Sequence, residues 1–372
     1  MNRPSDIVAT TDTNALRKNV FNPTSAPSFF DADQQRAALT KCGDPLVALS
    51  ALIHWEAFRS RLHMLFKKKP QEKSKGRKPI DPVLMFKVLI LQRLYSLSDD
   101  QIEFHIRDRA SFQRFLGIFS GHGSPDAKTV WLFRERLRED NVAGDLFLIF
   151  DDMLLKHGMV ARGGQMVDAS FVEVPRQRNT REENALVKIG ETPPEWEERE
   201  HKFAQKDIDA RWTKKHDQKF FGYKNHINAD VKHKLIRSYL VTPASIHDSQ
   251  ALDDVLMPAD EGRYIYADSA YRSTETQAHL KEKQYVSRIC ERAYRNTPLT
   301  KQQEQWNHSR SKIRCRVEHV FGAMFMKMHG RAHVLCIGLE RVTTVIGLEN
   351  LTYNMRRFIQ LRVPKKPRLC GA

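Results

Sequence analysis

The sequence predicts two architectures in series: an all-helical N-terminal region of roughly 160 residues, then an α/β domain built on a sheet. Three observations carry this. Up to about residue 160, apolar side chains recur at three- and four-residue spacing, punctuated by Ser and Asp caps. From Gln165, short β-branched and aromatic runs bounded by turn residues alternate with helical stretches. With 372 residues and 41% hydrophobic content, the chain is a globular protein of two or three domains.

The charge narrows the partner. Lys and Arg number 61 against 45 Asp and Glu, a net +16 that points to a polyanion. A membrane surface is also polyanionic, but no uninterrupted apolar run reaches the roughly 20 residues a span needs. Pro82 to Leu97, the longest candidate, is cut by Lys87, Gln92 and Arg93. No basic start leads into an apolar stretch, so a cytoplasmic location is expected. The five cysteines are far apart without a CxxC, which favours free or buried thiols over a disulfide framework or a zinc module.

Taken in order, residues 1–40 read as a flexible polar arm rich in Ser, Thr, Asn and Pro, and 41–160 as a helical DNA-binding domain. Apolar spacing from Leu46 to Phe66 predicts one amphipathic helix over Pro45–Phe66. A linker follows in which Lys67, Lys68, Lys69, Lys73, Lys75, Arg77 and Lys78 are opposed only by Glu72; a solvated connection and a phosphate contact both fit it. Asp81 and Pro82 start a helix through Tyr95, Ser98 caps a second through Arg107, and a short third holds Phe112, Phe115 and Leu116. Asp126 then caps AKTVWLFRERLRE, whose polar face carries Lys128, Arg134, Arg136 and Arg138. Short helices ending in a basic one are compatible with a helix-turn-helix reader of the major groove, and equally with an ordinary solvated face.

The sheet domain is expected over 161–360, followed by a basic tail at 361–372. Its strands are QMVDASFVEV, FFGYKNHINAD, HKLIRSYLVTP, RYIYADSAY and QYVSRI, the first three as a meander and the last two joined through helices. A charged insert at about 175–216 separates the first two strands and reads as a surface excursion with little core, helical around Trp196 to Lys206 or else a loop. In the second strand alternation would aim Lys224 or His226 toward a phosphate beside Asp168. His247 beside Asp248 reads as a helix start, and the spacing of His329 and His333 as coincidence. Phe321, Met324, Phe325 and Met328 continue an apolar stripe that docks its helix on the sheet, before a final helix over Gly338–Phe358.

Three acids stand out by context. Asp168 lies mid-strand in MVDAS, Asp268 ends a strand in IYADSAY, and Glu318 interrupts a helical stretch in RCRVEHVFG. A carboxylate in an apolar strand is costly to desolvate unless it is paired or binds a metal. All-oxygen donors favour magnesium or manganese, and two such ions about 4 Å apart serve an in-line phosphoryl displacement.

The run GRKPIDPVLMFKVLILQRLYSLSDDQIEFHIRDRASFQRFLGI, followed by SPDAKTVWLFRERL, closely resembles the N-terminal domain of transposases of the insertion sequence 5 family. The resemblance continues through MVDAS, DARWTKKHDQKFFGYKNHINAD, VTPASIHDSQAL, YADSAY and RVEHVFG, spanning roughly Asp44 to Asn354. It implies an RNase H-like mixed-sheet catalytic domain with a DDE triad of Asp168, Asp268 and Glu318 as catalytic residues and metal ligands, and Mg2+ as cofactor with Mn2+ as substitute. In the last motif of that family a Tyr, an Arg, the Glu and a Lys recur at fixed spacing; here Arg314 and Glu318 match, Ser311 and Phe325 stand at the Tyr and Lys positions, and Lys327 is shifted. The expected partners are double-stranded DNA, at element ends and target, and further copies of the chain in a dimer or larger synaptic assembly. The expected DNA contacts are Lys67, Lys68, Lys69, Lys75, Arg77, Lys78, Lys128, Arg134, Arg138, Lys224, Arg314, Arg316 and Lys327. A non-catalytic DNA-binding derivative and an RNase H-like nuclease are the alternatives.

Overall fold

The computed structural model describes residues 31–66, 79–118, 123–159, 163–215, 217–258, 262–294, 297–327 and 334–363. Residues 1–30 of the flexible arm expected over 1–40, the linker cations and nearly all of the basic tail lie outside them, as do Met328, His329 and His333; residues 31–40 of that arm are a correction, because they fold as a helix. Residues up to Asp44 form a unit of their own, whose described part is helix α1 (Asp31–Lys41). Pro45–Ala372 is a second compact unit.

In that second unit the single helix expected over Pro45–Phe66 is broken into α2 (Pro45–Leu52), a 3-10 turn at Trp55–Phe58 and α3 (Arg59–Met64). The tight turn lets Trp55 and Phe58 both enter the core, where their rings meet Phe86. The next helices follow their caps. In α4 (Pro82–Tyr95) the Asp81 side chain accepts from the Val83 amide, and Ser98 forms a reciprocal capping box with Gln101 at the start of α5 (Asp99–Asp108). α6 (Ala110–Leu116) stops at Gly117, and Asp126 caps α7 (Ala127–Glu139). α8 (Val142–Lys156) was not anticipated, although Val142, Leu146, Phe147, Phe150 and Leu154 have helical spacing and are buried.

The sheet has strands β1 (Gln165–Glu173), β2 (Arg211–Lys215), β3 (Gln218–Asp230), β4 (Ile236–Pro243), β5 (Tyr264–Tyr266) and β6 (Val286–Ser287). β4, β3 and β1 are antiparallel neighbours, β5 runs parallel to β1 and β6 parallel to β5. This order, β4–β3–β1–β5–β6, is the RNase H-like mixed sheet, with β2 added against the first half of β3. Register at the end of β1 depends on Gly222: its φ is 145° and a Cβ there would lie 2.2 Å from the Val172 carbonyl oxygen.

The insert is ordered, and more than a surface excursion. It folds as α9 (Arg181–Ile189), α10 (Pro194–Glu197) and α11 (Glu200–Phe203) before β2. Trp196 is fully buried among them, its Nε1 donating to Glu183, which also pairs with Lys202. Asp207 then anchors the segment, accepting from the Tyr223 hydroxyl and the Gly338 amide. Of the remaining helices, α12 (Leu252–Val255) follows a 3-10 turn and α13 (Thr274–Glu282) connects β5 to β6. α14 (Lys301–Arg314) and α15 (Glu318–Lys327) replace the single helical stretch expected there, and α16 (Leu339–Arg362) closes the described chain.

One hydrophobic core runs from Leu46 through the helices and the sheet residues Met166, Ile227 and Ile236 to Phe358, so packing is continuous across the expected boundary at 160/161. α16 lies between the helical region and the sheet. Its Asn354 side chain both accepts from the Ile236 amide and donates to the Ile236 carbonyl, completing β4's backbone bonding. Asp151 of α8 and Arg237 of β4 add a buried ion pair at 3.0 Å. No helix among the described residues is long and apolar enough to cross a membrane.

Candidate active site

Asp168 stands in the middle of β1, where Val167 and Ile227 around it are buried. Its Oδ1 accepts from the Ala169 amide at 2.8 Å. Burial pushes its pKa up to about 6, against the pull of that amide and of Arg314, while the charge of Asp268 pushes it further up. Asp268 lies just beyond β5 rather than within it, and its Oδ1 caps the following 3-10 turn through the Ala270 amide at 2.8 Å. Parallel pairing of Gln165 with Ile265 and Met166 with Tyr266 brings the two aspartates to corresponding levels on neighbouring strands. Glu318 opens α15 after a break at 315–317, so it starts a helix instead of interrupting one.

Arg314 joins the acids. Its guanidinium donates to Glu318 at 2.9 Å and lies 3.5 Å from Asp168. In this arrangement it is the counter-charge of two carboxylates, in place of the DNA contact expected of it. Beside them Tyr271 is buried with its hydroxyl unpartnered, and the charges of Asp248, Asp168 and Asp268 add to burial in pushing its pKa up.

The donor chemistry fits a hard divalent cation. The acids supply only carboxylate oxygens, burial disfavours Asp168 as an anion even with Arg314 beside it, and the orphaned Tyr271 hydroxyl marks unfilled polar capacity. Their spacing is more open: among the described residues no three His, Cys, Asp or Glu side chains are gathered closely enough to hold an ion. Asp168, Asp268 and Glu318 are the residues that would hold it.

The expected DNA contacts divide. Arg134 is spent in a forked pair with Asp99, at 2.8 and 2.7 Å, and Arg138 pairs with Glu135 and Glu340. Both are corrections with one cause: α7 packs against α4, α5, α8 and α16, so two of the four cations on its basic face are paired within that packing instead of meeting a groove. Lys128 and Arg136 remain exposed on it. Lys224 is also corrected. The register pairs Ala169 with His226 and Phe171 with Lys224, which puts both on the sheet face opposite Asp168. There Lys224 is buried against Asp248, at 2.7 Å, and the Ile246 carbonyl. His226 donates to or accepts from Thr242 Oγ1 at 2.8 Å, and burial lowers its pKa to about 4. His247 caps the 3-10 turn at Asp248–Ala251. Arg316 is exposed and reaches the Val231 carbonyl at 3.4 Å. Lys67, Lys68, Lys69, Lys75, Arg77 and Lys78 lie outside the described residues, as do the side chains of Phe325 and Lys327. Sequence reasoning missed Lys215, whose charge reaches Asp168 from β2, because pairing of β2 with β3 is what brings it near.

Two family models match the chain: a transposase DDE domain over residues 161–355 and a transposase domain of unassigned role over 34–136. The transposase for insertion sequence element IS1106 of Neisseria meningitidis serogroup B is 31% identical over 228 residues, covering 60% of this chain and 75% of that protein. Among solved structures, a piggyBac transposase synaptic complex with hairpin DNA aligns with 86% of this chain and 75% of its own at 12% identity and a TM-score of 0.40.

Proposed function

Since the chain belongs to the insertion-sequence transposases with a DDE domain, enzymes that cleave DNA, we propose that it binds the terminal inverted repeats of its element, cleaves phosphodiester bonds there and joins the freed 3′-hydroxyls to target DNA. What supports the site assignment is the joining of Asp168 and Glu318 through Arg314, with the charge of Asp268 felt at Asp168. Mg2+, with Mn2+ as substitute, would be held by these three carboxylates and would supply activation of the attacking oxygen and stabilisation of the leaving one. Asp168 would be positioned by β1, Asp268 by the turn that follows its parallel neighbour β5, and Glu318 by the start of α15. Arg314 is the counter-ion that must turn away from Glu318 when cations enter. Lys128, Arg316 and Lys327, with the linker cations, are the proposed phosphate contacts. Two element ends call for two active sites, hence a dimer or larger assembly, at work on DNA in the bacterial cytoplasm.

The test is cleavage and strand transfer on a duplex bearing the element's own end, with Mg2+ or Mn2+. Asp168→Asn, Asp268→Asn and Glu318→Gln are each expected to lower both steps by at least about a thousandfold, as loss of a group central to charge stabilisation does, with end binding retained. Binding without cleavage by the unaltered chain would turn the assignment to a non-catalytic DNA-binding protein; cleavage without joining would turn it to a nuclease.

A further inference from the structure

The turn between β3 and β4 concentrates positive charge for which the fold gives no internal use. Lys232 and Lys234 come from the turn, Arg316 and His319 from the segment around Glu318, and Arg357 from α16. Lys234, Arg316, His319 and Arg357 are tied to the turn by bonds that position cations without neutralising them, and Lys232 is exposed on the same turn. Arg357 Nε donates to the His233 carbonyl at 2.7 Å, Arg316 reaches the Val231 carbonyl, and the Tyr353 hydroxyl donates to the Lys234 carbonyl at 2.7 Å. Lys234 Nζ donates to His319 Nδ1 at 2.9 Å. Among the described residues no carboxylate forms an ion pair with Lys232, Lys234, Arg316 or Arg357. Asp230, the acid at the start of the turn, is buried, and its oxygens accept from the amides of Lys232, His233 and Leu235. Glu318 is held by Arg314.

The cluster is costly in two ways. Burial, and then the charges of Arg357 and Arg316, hold the Lys234 ammonium below its ordinary pKa. Lys234 also sits at φ 59°, the left-handed region where a glycine would be more comfortable. A strained, crowded cation retained at a turn is explained by an anionic partner.

We propose that Lys232, Lys234, Arg316 and Arg357, with His319, form a phosphate cradle for the DNA strand that runs out of the carboxylate site. This rests on the transposase reading above and adds the surface that the flanking backbone occupies. The distance suits it. Asp230 pairs with Gln165, three residues before Asp168 on β1, so the cradle begins about 10 Å from the carboxylate at ~3.3 Å per strand residue. A strand carries a phosphate about every 3.4 Å along the helix axis, so the cradle meets those roughly three nucleotides from the scissile one.

The experiment is fluorescence anisotropy of the full chain with a labelled duplex bearing the element's end, over a salt series and with chelator present. The triple variant Lys232→Gln, Lys234→Gln, Arg316→Gln is expected to weaken binding more than tenfold and to flatten the salt dependence by about two to three in slope, at ~0.9 for each phosphate left without its cation. A control triple of exposed lysines, Lys188→Gln, Lys281→Gln, Lys301→Gln, should do far less. Lys234→Gly removes the charge while relieving the turn, so it should melt no lower than the unaltered chain and still bind less tightly. An unchanged slope in the cradle triple, or a weakening matched by the control triple, overturns the cradle and leaves the transposase reading intact. If the unaltered chain does not bind the duplex, both fall.

Discussion

His226 and Asp168 are neighbours across two strands, yet opposite sheet faces give their charges opposite tasks. His226 is 1% exposed, and burial depresses its pKa to about 4, so the folded chain keeps it neutral where the unfolded chain would protonate it. Its stabilising contribution is therefore intact above the unfolded value of about 6.5, declines as pH falls below it and is gone near pH 4. At 1.36 kcal/mol per unit the total is of order 3 kcal/mol. Denaturant unfolding between pH 7 and pH 4 should show that slope, and His226→Gln should flatten it; a slope indifferent to the substitution would assign it elsewhere. For Asp168, burial instead raises the cost of the charged form, a cost that Arg314 offsets in part. The triad substitutions belong to this scale too, since each changes one oxygen donor and little volume.

At the scale of elements, the insert is held by a small core of its own. Trp196 fills the space between α9 and α11, and its indole shares Glu183 with Lys202. Trp196→Ala removes a fully buried aromatic, a change that costs about 3–5 kcal/mol where the cavity does not collapse. Because these helices join the sheet mainly through Asp207, the effect should be local: amide exchange should rise over 181–203 while β1 and β3 keep their protection. Global loss of protection would mean that the insert and sheet fold as one. Acid acts on the same element. Lys202, opposed by burial, pulls the Glu183 pKa down to about 2, so its contribution holds above about pH 4.5 and is lost as pH falls toward 2.

Across the whole molecule, the helical region and the sheet share a core and are joined by α16, although the two family models meet these regions separately. A fragment of residues 163–363 would expose the sides of α16 that pack on α4 and α8, and would leave Arg237 without Asp151. It is expected to be soluble poorly or to melt without a cooperative transition in calorimetry, whereas residues 45–372 should melt cooperatively. A sharp transition in the fragment would establish the sheet as an independent folding unit.

How far the sequence reached follows from the range of each interaction. Caps, turns and periodic apolar positions act within a few residues, which is why α4, α5 and α7 and the five strands of the RNase H-like sheet are legible, with Asp168 and Asp268 noticed as carboxylates in strands where the charge is costly and their grouping with Glu318 implied by the family resemblance. A helix's polar face, by contrast, does not say whether it meets water or another chain segment. Arg134 and Arg138 read as phosphate contacts until Asp99 and Glu340 were brought to them from elsewhere in the chain. Lys224 and His226 depended on a strand register that pairs them with Phe171 and Ala169, and one step in that register exchanges the faces. Trp196 looked like part of a polar excursion because its partners are short helices with little periodicity of their own. Residue chemistry and local order are thus written in the sequence, while the neighbours that neutralise a charge, bury a ring or gather Lys234 with Arg316 and Arg357 are long-range contacts that only tertiary packing decides.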